Sequence, residues 1–484
     1  MNPLLLALAL LLAPAHARSM KLPPKPPPVE VAPPPVDPLA TMPTPGPAVP
    51  FVPPVPETAA LQNGVPVWIA PSPALPIFTL IVSTPRGSQL DAKGKEGTAA
   101  LAIDVMRRGA GTRDGAAFAA EVERRGLSID GGVGPGGASL ALSGPTSQLN
   151  AGLDLLADCV LRPRLDGKEV KLARELLLAG LQQDLSEPSF VAARTAASLY
   201  WGPTHPYGRP AGGTEAGLGR VGAVDIRKWH AAAWKATGAS IAVAGAVTRE
   251  QVLPLLEARF GIWARGKDID IPVPAAPVHA TEPVYVVDAP DSAQTGFFVA
   301  FPGLARGAAA EAPTRLGTIA LGGTFTSRLN ALLREEKGYT YGVRAEMDQE
   351  RAGGTLVVRT RIRADVTAEA LTELNGQLDK IRAGIDAAEL AKAQGAARQD
   401  VVEALESQAG VAGTLADALA FGRAPDAVAM ELARYAGVVV EDVTAPMALW
   451  DRTHAVYVLV GDRKLIEPKL REQGFTELSF VVPP

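Results

Sequence analysis

Apolar residues recur along this chain in two distinct periods, and the order of those periods is repeated. From about Thr58 a first pass opens with the runs VPVWIA and FTLIVST, brief and rich in β-branched residues, which predict strands. Two stretches of helical spacing follow, GTAALAIDVMRRG and GAAFAAEVERRG. Next come the strands LSIDGGVG and SLALSGP, then a helix LNAGLDLLADCVL and a long helix from Glu169. The strand SIAVAGAV and the helix TREQVLPLLEARFG close the pass.

A second pass repeats this order. PVYVVDA and GFFVAFPG lead into the helices PTRLGTIAL and SRLNALLREE, and the strands YTYGVRAEM and TLVVRTRI follow. The helix DVTAEALTELNGQLDKIRAG sets Leu371, Leu374, Leu378 and Ile381 on one face. A long helix from about Ala387, the strand AVYVLVGD and the helix LIEPKLREQGF complete it. The paired strands AVAGAVT and VLVGDRK strengthen the duplication beyond element order. Strands in adjacent pairs with helices between them predict an α+β fold of two similar halves, each an antiparallel sheet with helices packed on one face. The boundaries read as 57–268 and 284–484, joined by the proline-rich linker IDIPVPAAPVHATEP at 269–283.

Residues 1–17, MNPLLLALALLLAPAHA, form a short apolar run ending in an A-x-A pattern and predict a cleaved secretory signal. The run is too short to span a bilayer. The expected location is therefore exported, either periplasmic or associated with the cell envelope, with release from the cell as the further possibility. Residues 18–56 are proline-dense and aperiodic, which predicts an extended tether outside the fold. A single cysteine, Cys159, lies on an apolar helical pattern and reads as a buried hydrophobe. The net charge of −4 and the lack of a basic run argue against a nucleic-acid partner, and no transmembrane segment is expected.

Familiar catalytic motifs are scarce. LGGTFTS lacks the Gly-Lys-Ser/Thr of a phosphate loop, and no G-x-S-x-G is present. GGVGPGGAS falls between two predicted strands and reads as a hairpin turn. His230 and His454 are isolated, and HPYG at His205–Gly208 reads as a turn set by Pro206. On residue chemistry alone Arg334 is a cation at a helix C-terminus, paired with a nearby Glu, and Tyr339 and Tyr341 share a packed strand face.

The duplicated halves, HPYG, the strand ending VAGAVT and the segment LGGTFTSRLNALLREEKGYTYGV at 321–343 together resemble the M16 (pitrilysin/insulinase-type) zinc peptidases, from roughly Thr58 to Phe475. The resemblance implies two LuxS/MPP-like domains. Catalytic members carry H-x-x-E-H on the first helix of the first half, two ligands one helical turn apart with the general base between them. The corresponding segment here is EGTAALAIDVMRRGAGT, which places Ala100, Ile103 and Asp104 where His, Glu and His stand. The further ligand position falls near Ala173, with Glu169 and Glu175 close by in sequence. The five histidines (16, 205, 230, 279 and 454) include no pair three to five apart, so no H-x-x-x-H exists in any register.

The resemblance further places at Arg334 and Tyr341 the pair with which the second half grips substrate and supports the transition state. Some M16 enzymes divide zinc motif and Arg/Tyr pair between two chains, and this sequence is similar to the second kind. The function so implied is a non-catalytic, substrate-binding subunit of an exported heterodimeric metalloendopeptidase. This chain would bind no cofactor, its partner would carry H-x-x-E-H and the zinc, and an extended peptide would be the substrate. An inactive peptide-binding or scaffold protein of the same fold is the alternative. A single-chain peptidase with altered ligands is a third reading, against which the histidine census argues.

Overall fold

The strand-forming runs become two six-stranded sheets in a computed structural model that describes Gly46 and residues 49–267, 273–281 and 283–484. The secretory signal at 1–17 and most of the tether at 18–56 lie outside the described residues, as does part of the linker at 269–283. The first sheet contains β1 (Glu57–Ala60), β2 (Pro66–Pro71), β3 (Ile77–Thr84), β4 (Ser128–Gly134), β5 (Gly137–Pro145) and β6 (Ser240–Gly245), in the order β1-β2-β6-β3-β5-β4. The second contains β7 (Val284–Asp288), β8 (Gln294–Gly303), β9 (Thr340–Glu350), β10 (Gly353–Arg363), β11 (Val456–Gly461) and β12 (Leu478–Phe480), in the order β12-β7-β11-β8-β10-β9. The orders correspond apart from the short outer strands, β1 pairing beside β2 and β12 beside β7. Antiparallel pairing dominates, as expected, and GGVGPGGAS is the β4–β5 hairpin. The parallel pairs are β2–β6, β7–β11 and β7–β12.

The first half's helices are α1 (Thr98–Met106), α2 (Gly115–Arg124), α3 (Leu149–Leu161), α4 (Gly167–Asp184), α5 (Pro188–Trp201), α6 (Glu215–Arg220), α7 (Ala223–Ala233) and α8 (Arg249–Phe260). The second half's are α9 (Glu311–Thr318), α10 (Thr367–Ile381), α11 (Ala387–Ala404), α12 (Gln408–Ala420), α13 (Ala427–Gly437), α14 (Val440–Thr444) and α15 (Arg463–Glu472). The long helix read from Glu169 starts two residues earlier, and Pro188, with no N–H to donate, opens a separate helix.

Each sheet buries one face against its own half. Val67, Ile69, Ile241 and Val243 join Leu101, Leu153 and Phe260 in the first core, and Cys159 is buried there. Tyr457 and Leu459 join Leu371, Leu374, Leu378 and Ile381 in the second.

The opposite faces are covered as well, and the covering helices are exchanged. The outward residues Trp68, Ala70, Ala242 and Ala244 of the first sheet pack against Val411, Ala412 and Leu415 of α12, a second-half helix. Reciprocally, Val287, Ala300, Val456, Val458 and Val460 of the second sheet pack against Val191, Ala192, Ala196 and Tyr200 of α5, from the first half. This adds to the expectation of helices on one face. It also explains why β6 and β11 are buried at every position rather than alternating, since a strand covered on both sides has no solvent face.

The exchange depends on close approach at Gly296 of β8, where a Cβ would lie 2.7 Å from the Pro188 carbonyl. Pro206 opens the HPYG turn, as its sequence suggests, and the turn secures the crossing. The buried His205 ring stacks on Trp201 at 4.8 Å, and its Nδ1 accepts from Tyr207 N–H at 3.0 Å. That leaves Nε2–H to donate to the Pro274 carbonyl of the connecting segment at 3.0 Å.

Candidate functional site

The first sequence-predicted constellation sits on α1. Asp91 orders its N-terminus: the buried carboxylate accepts from Gly97 N–H and Ala99 N–H, each at 2.9 Å. Burial pushes this carboxyl up to about 7, against the lowering effect of those hydrogen bonds and of Arg209.

Ala100 offers a methyl group, and Ile103 is 3% exposed in the core. Asp104 is the one anionic side chain of the three, and it is fully engaged. Arg107 Nη2 donates to one carboxylate oxygen at 3.0 Å and Arg108 Nε to the other at 2.9 Å. Arg107 Nη1 also reaches the Ile129 carbonyl at 3.2 Å, which fixes a guanidinium beside the would-be ligand.

Of the candidates on α4, Ala173 is wholly buried. The Glu169 carboxyl lies against Gly115 at the start of α2, and Glu175 is 62% exposed near Lys171. Among the described residues no cluster of three His, Cys, Asp or Glu side chains is placed to hold a metal. A divalent cation here would meet a methyl, a sec-butyl group and a carboxylate already held by two guanidiniums. The donor set does not fit zinc.

The isolated histidines have structural partners. His230 lies 2.8 Å from the Val160 carbonyl, with burial lowering its pKa, and His454 is in an exposed turn beside Asp451.

The second constellation is built from the 321–343 segment. After α9 the backbone widens into an i→i+5 turn at Ile319–Gly323, held tightly to β9 because a Cβ on Gly322 would lie 2.7 Å from Ala345 N. Another wide helix, Asn330–Glu336, carries Arg334 and ends at Gly338, in the left-handed conformation at φ +63°.

Asn330 joins these parts. It is 4% exposed, its Nδ2 donates to the carbonyls of Thr324 at 2.9 Å and Val343 at 2.8 Å, and its Oδ1 accepts from Val343 N–H at 2.8 Å. One side-chain amide thereby satisfies both backbone groups of a β9 residue and ties the glycine turn to them. Sequence reasoning missed it. The available signal was a poor helix former in the middle of an otherwise favourable helix.

Tyr341 does not share a packed face with Tyr339. Tyr339 precedes β9 and packs against the core. In the register, Val343 opposes Thr360 while Thr340 opposes Ile362, so Tyr341 and Gly342 together face Arg361. This is a β-bulge, a device that re-aims side chains. Thr360 Oγ1 holds it, donating to the Gly342 carbonyl at 2.8 Å. As a result Tyr341 is 89% exposed.

Arg334 pairs with Glu335 at 3.1 Å, as the helix-end reading expects. Its guanidinium also lies 4.8 Å from the ring centroid of Phe325, which is 68% exposed. Phe325 was not singled out from sequence, although a large apolar residue within a polar turn was a signal. Phe325 and Tyr341 line one open cavity of about 780 Å³. The arrangement is an exposed phenol on a rigid edge strand and an arginine braced by an aromatic ring, a surface suited to gripping an extended backbone.

Residues 220–396 match the model of the peptidase M16 inactive domain. Curated relatives include an uncharacterised zinc protease of Mycobacterium tuberculosis, 26% identical over 267 residues, which are 54% of this chain and 60% of that protein. A Mycobacterium leprae counterpart is 25% identical over 262 residues, 54% and 59% of the two chains. The match spans about three fifths of the length of these relatives.

Among solved structures, a peptidase M16 inactive domain from Pseudomonas fluorescens superposes with a TM-score of 0.78 at 22% identity, over 84% of this chain and 98% of that one. A Helicobacter pylori protease gives 0.77 at 20%, over 84% and 99%. At these identities the likeness establishes the fold.

Proposed function

We propose that this chain, whose residues 220–396 match the peptidase M16 inactive domain, is a non-catalytic, substrate-binding subunit that completes the site of a zinc-bearing M16 partner. One contrast carries the proposal. The α1 site is closed to metal by Arg107 and Arg108 around Asp104, whereas the second half raises Tyr341 on a bulge and braces Arg334 on Phe325. A surface kept for substrate beside a site unfit for zinc makes sense when zinc arrives on another chain. Tyr341 donates to the developing oxyanion in the partner's site and Arg334 grips the peptide main chain. The proposal includes export, supported by the apolar run at 1–17. Among the described residues no helix is long and apolar enough to cross a membrane.

Co-expression with an M16 chain carrying H-x-x-E-H tests this. Peptidase activity is expected only in the mixture. Tyr341→Phe and Arg334→Ala are each expected to lower kcat/KM by about 10²-fold while the complex survives gel filtration. Stoichiometric zinc and turnover in the isolated chain would refute the proposal.

A further inference from the structure

We infer that the cavity beside Tyr341 is a subsite for an acidic side chain, so that the peptides this chain holds carry Asp or Glu next to the Tyr341 contact. The inference rests on the peptide-binding role proposed above. Arg344 of β9 and Arg361 of β10 line the cavity, as do Asp400 and Glu403 of α11. The balance of charge depends on which of the four are already satisfied.

Asp400 is held by Arg315 Nη2 at 2.9 Å, and Glu403 accepts from Gln399 Nε2 at 2.9 Å. Arg361 has only a loose partner, Glu187 at 3.8 Å, with both side chains more than half exposed. The side chain of Arg344 forms no ion pair among the described residues.

The register sharpens this. Arg344 stands directly opposite Arg359 on β10, and like charges in that position destabilise a strand pair. Arg359 is relieved by Glu346 at 2.8 Å, whereas Arg344 is not relieved. The edge of the second sheet therefore presents an uncompensated guanidinium, with a second weakly held one at the bulge that lifts Tyr341. A peptide lying along this edge, its backbone at Tyr341, meets two planar forks whose geometry matches a carboxylate. The committed carboxylates on the α11 wall repel a second acid and favour a single one on the β9–β10 side.

The test uses the purified chain and three pools of short fluorescent peptides, randomised at every position except a central Glu, Gln or Lys, with binding read by fluorescence polarisation. Glu peptides are expected to bind roughly fivefold more tightly than Gln peptides, the upper range for a solvent-accessible ion pair, and Lys peptides more weakly still. Arg344→Gln should abolish the Glu preference, Arg344→Lys should retain part of it, and added salt should diminish it. If all pools bind equally and Tyr341→Ala weakens them equally, the acidic subsite is wrong and the peptide-binding reading stands. If no pool binds, or Tyr341→Ala changes nothing, both fall.

Discussion

Asn330 ties the glycine turn of the 321–343 segment to β9, and Asn330→Ala measures how much that tie contributes. The substitution removes three donated hydrogen bonds, to the Thr324 and Val343 carbonyls and Ser327 Oγ, and one accepted one, and leaves both backbone groups of Val343 without those partners at a residue 1% exposed. A buried polar group stripped of its partner costs about 1–3 kcal/mol, and partial relaxation toward water at an edge strand reduces the sum. Roughly 3 kcal/mol of local stability is expected. The informative assay is amide hydrogen exchange, because opening of this segment need not coincide with global unfolding of so long a chain. Exchange at Val343 should accelerate by about 10²-fold, while amides of β6 and β11 stay protected.

Asn330→Asp separates hydrogen bonding from volume. It keeps the acceptor for Val343 N–H but turns a carboxylate oxygen toward the Thr324 and Val343 carbonyls. It should therefore be at least as damaging as alanine at neutral pH and milder in acid, where protonation restores one donor. Acceleration of less than about tenfold at Val343 in Asn330→Ala would refute the clamp.

Two further substitutions test other parts of the molecule. Gly296→Val drives a side chain into the Pro188 carbonyl and Ser189 N–H at 2.7 and 2.9 Å, so α5 must lift from the second sheet; a loss of about 1–3 kcal/mol in urea unfolding is expected, and an unchanged midpoint would contradict the tight crossing. Asp91 has a folded-state pKa of about 7, raised from the ordinary carboxylate value, so between about pH 4 and 7 the folded chain holds a proton that the unfolded chain has released. Its contribution to stability is present below pH 4 and lost as pH rises to 7, by up to about 4 kcal/mol, and Asp91→Asn should flatten the slope of unfolding free energy across that window even though the variant is less stable overall.

The order of elements was legible because periodicity encodes it: brief apolar runs became strands, and Leu371, Leu374, Leu378 and Ile381 became one buried helix face. The short strands at Glu57–Ala60 and Leu478–Phe480 were not legible, since pairing at a sheet edge rather than composition makes them strands. The exchange of α5 and α12 was not read from sequence, which placed helices on one face of each sheet; an amphipathic helix specifies a face and not the sheet it will meet. At the site, the motif drew attention to Arg334 and Tyr341, whose roles remain part of the proposal. The exposure of Tyr341 comes from a bulge, a property of register across two strands that one strand's residues do not reveal. Asp104 stood in sequence only as a degenerate zinc-motif position; its capture by Arg107 and Arg108 needed three-dimensional contacts to see.

The exchanged helices also govern how this molecule can move. Each half seals the other's sheet with a helix of its own, so the pair is fastened like two clasped hands rather than jointed like a hinge. Swinging the halves apart would strip both apolar seals at once, a cost of the same order as unfolding. The two halves, residues 51–267 and 283–484, are therefore expected to travel as one body.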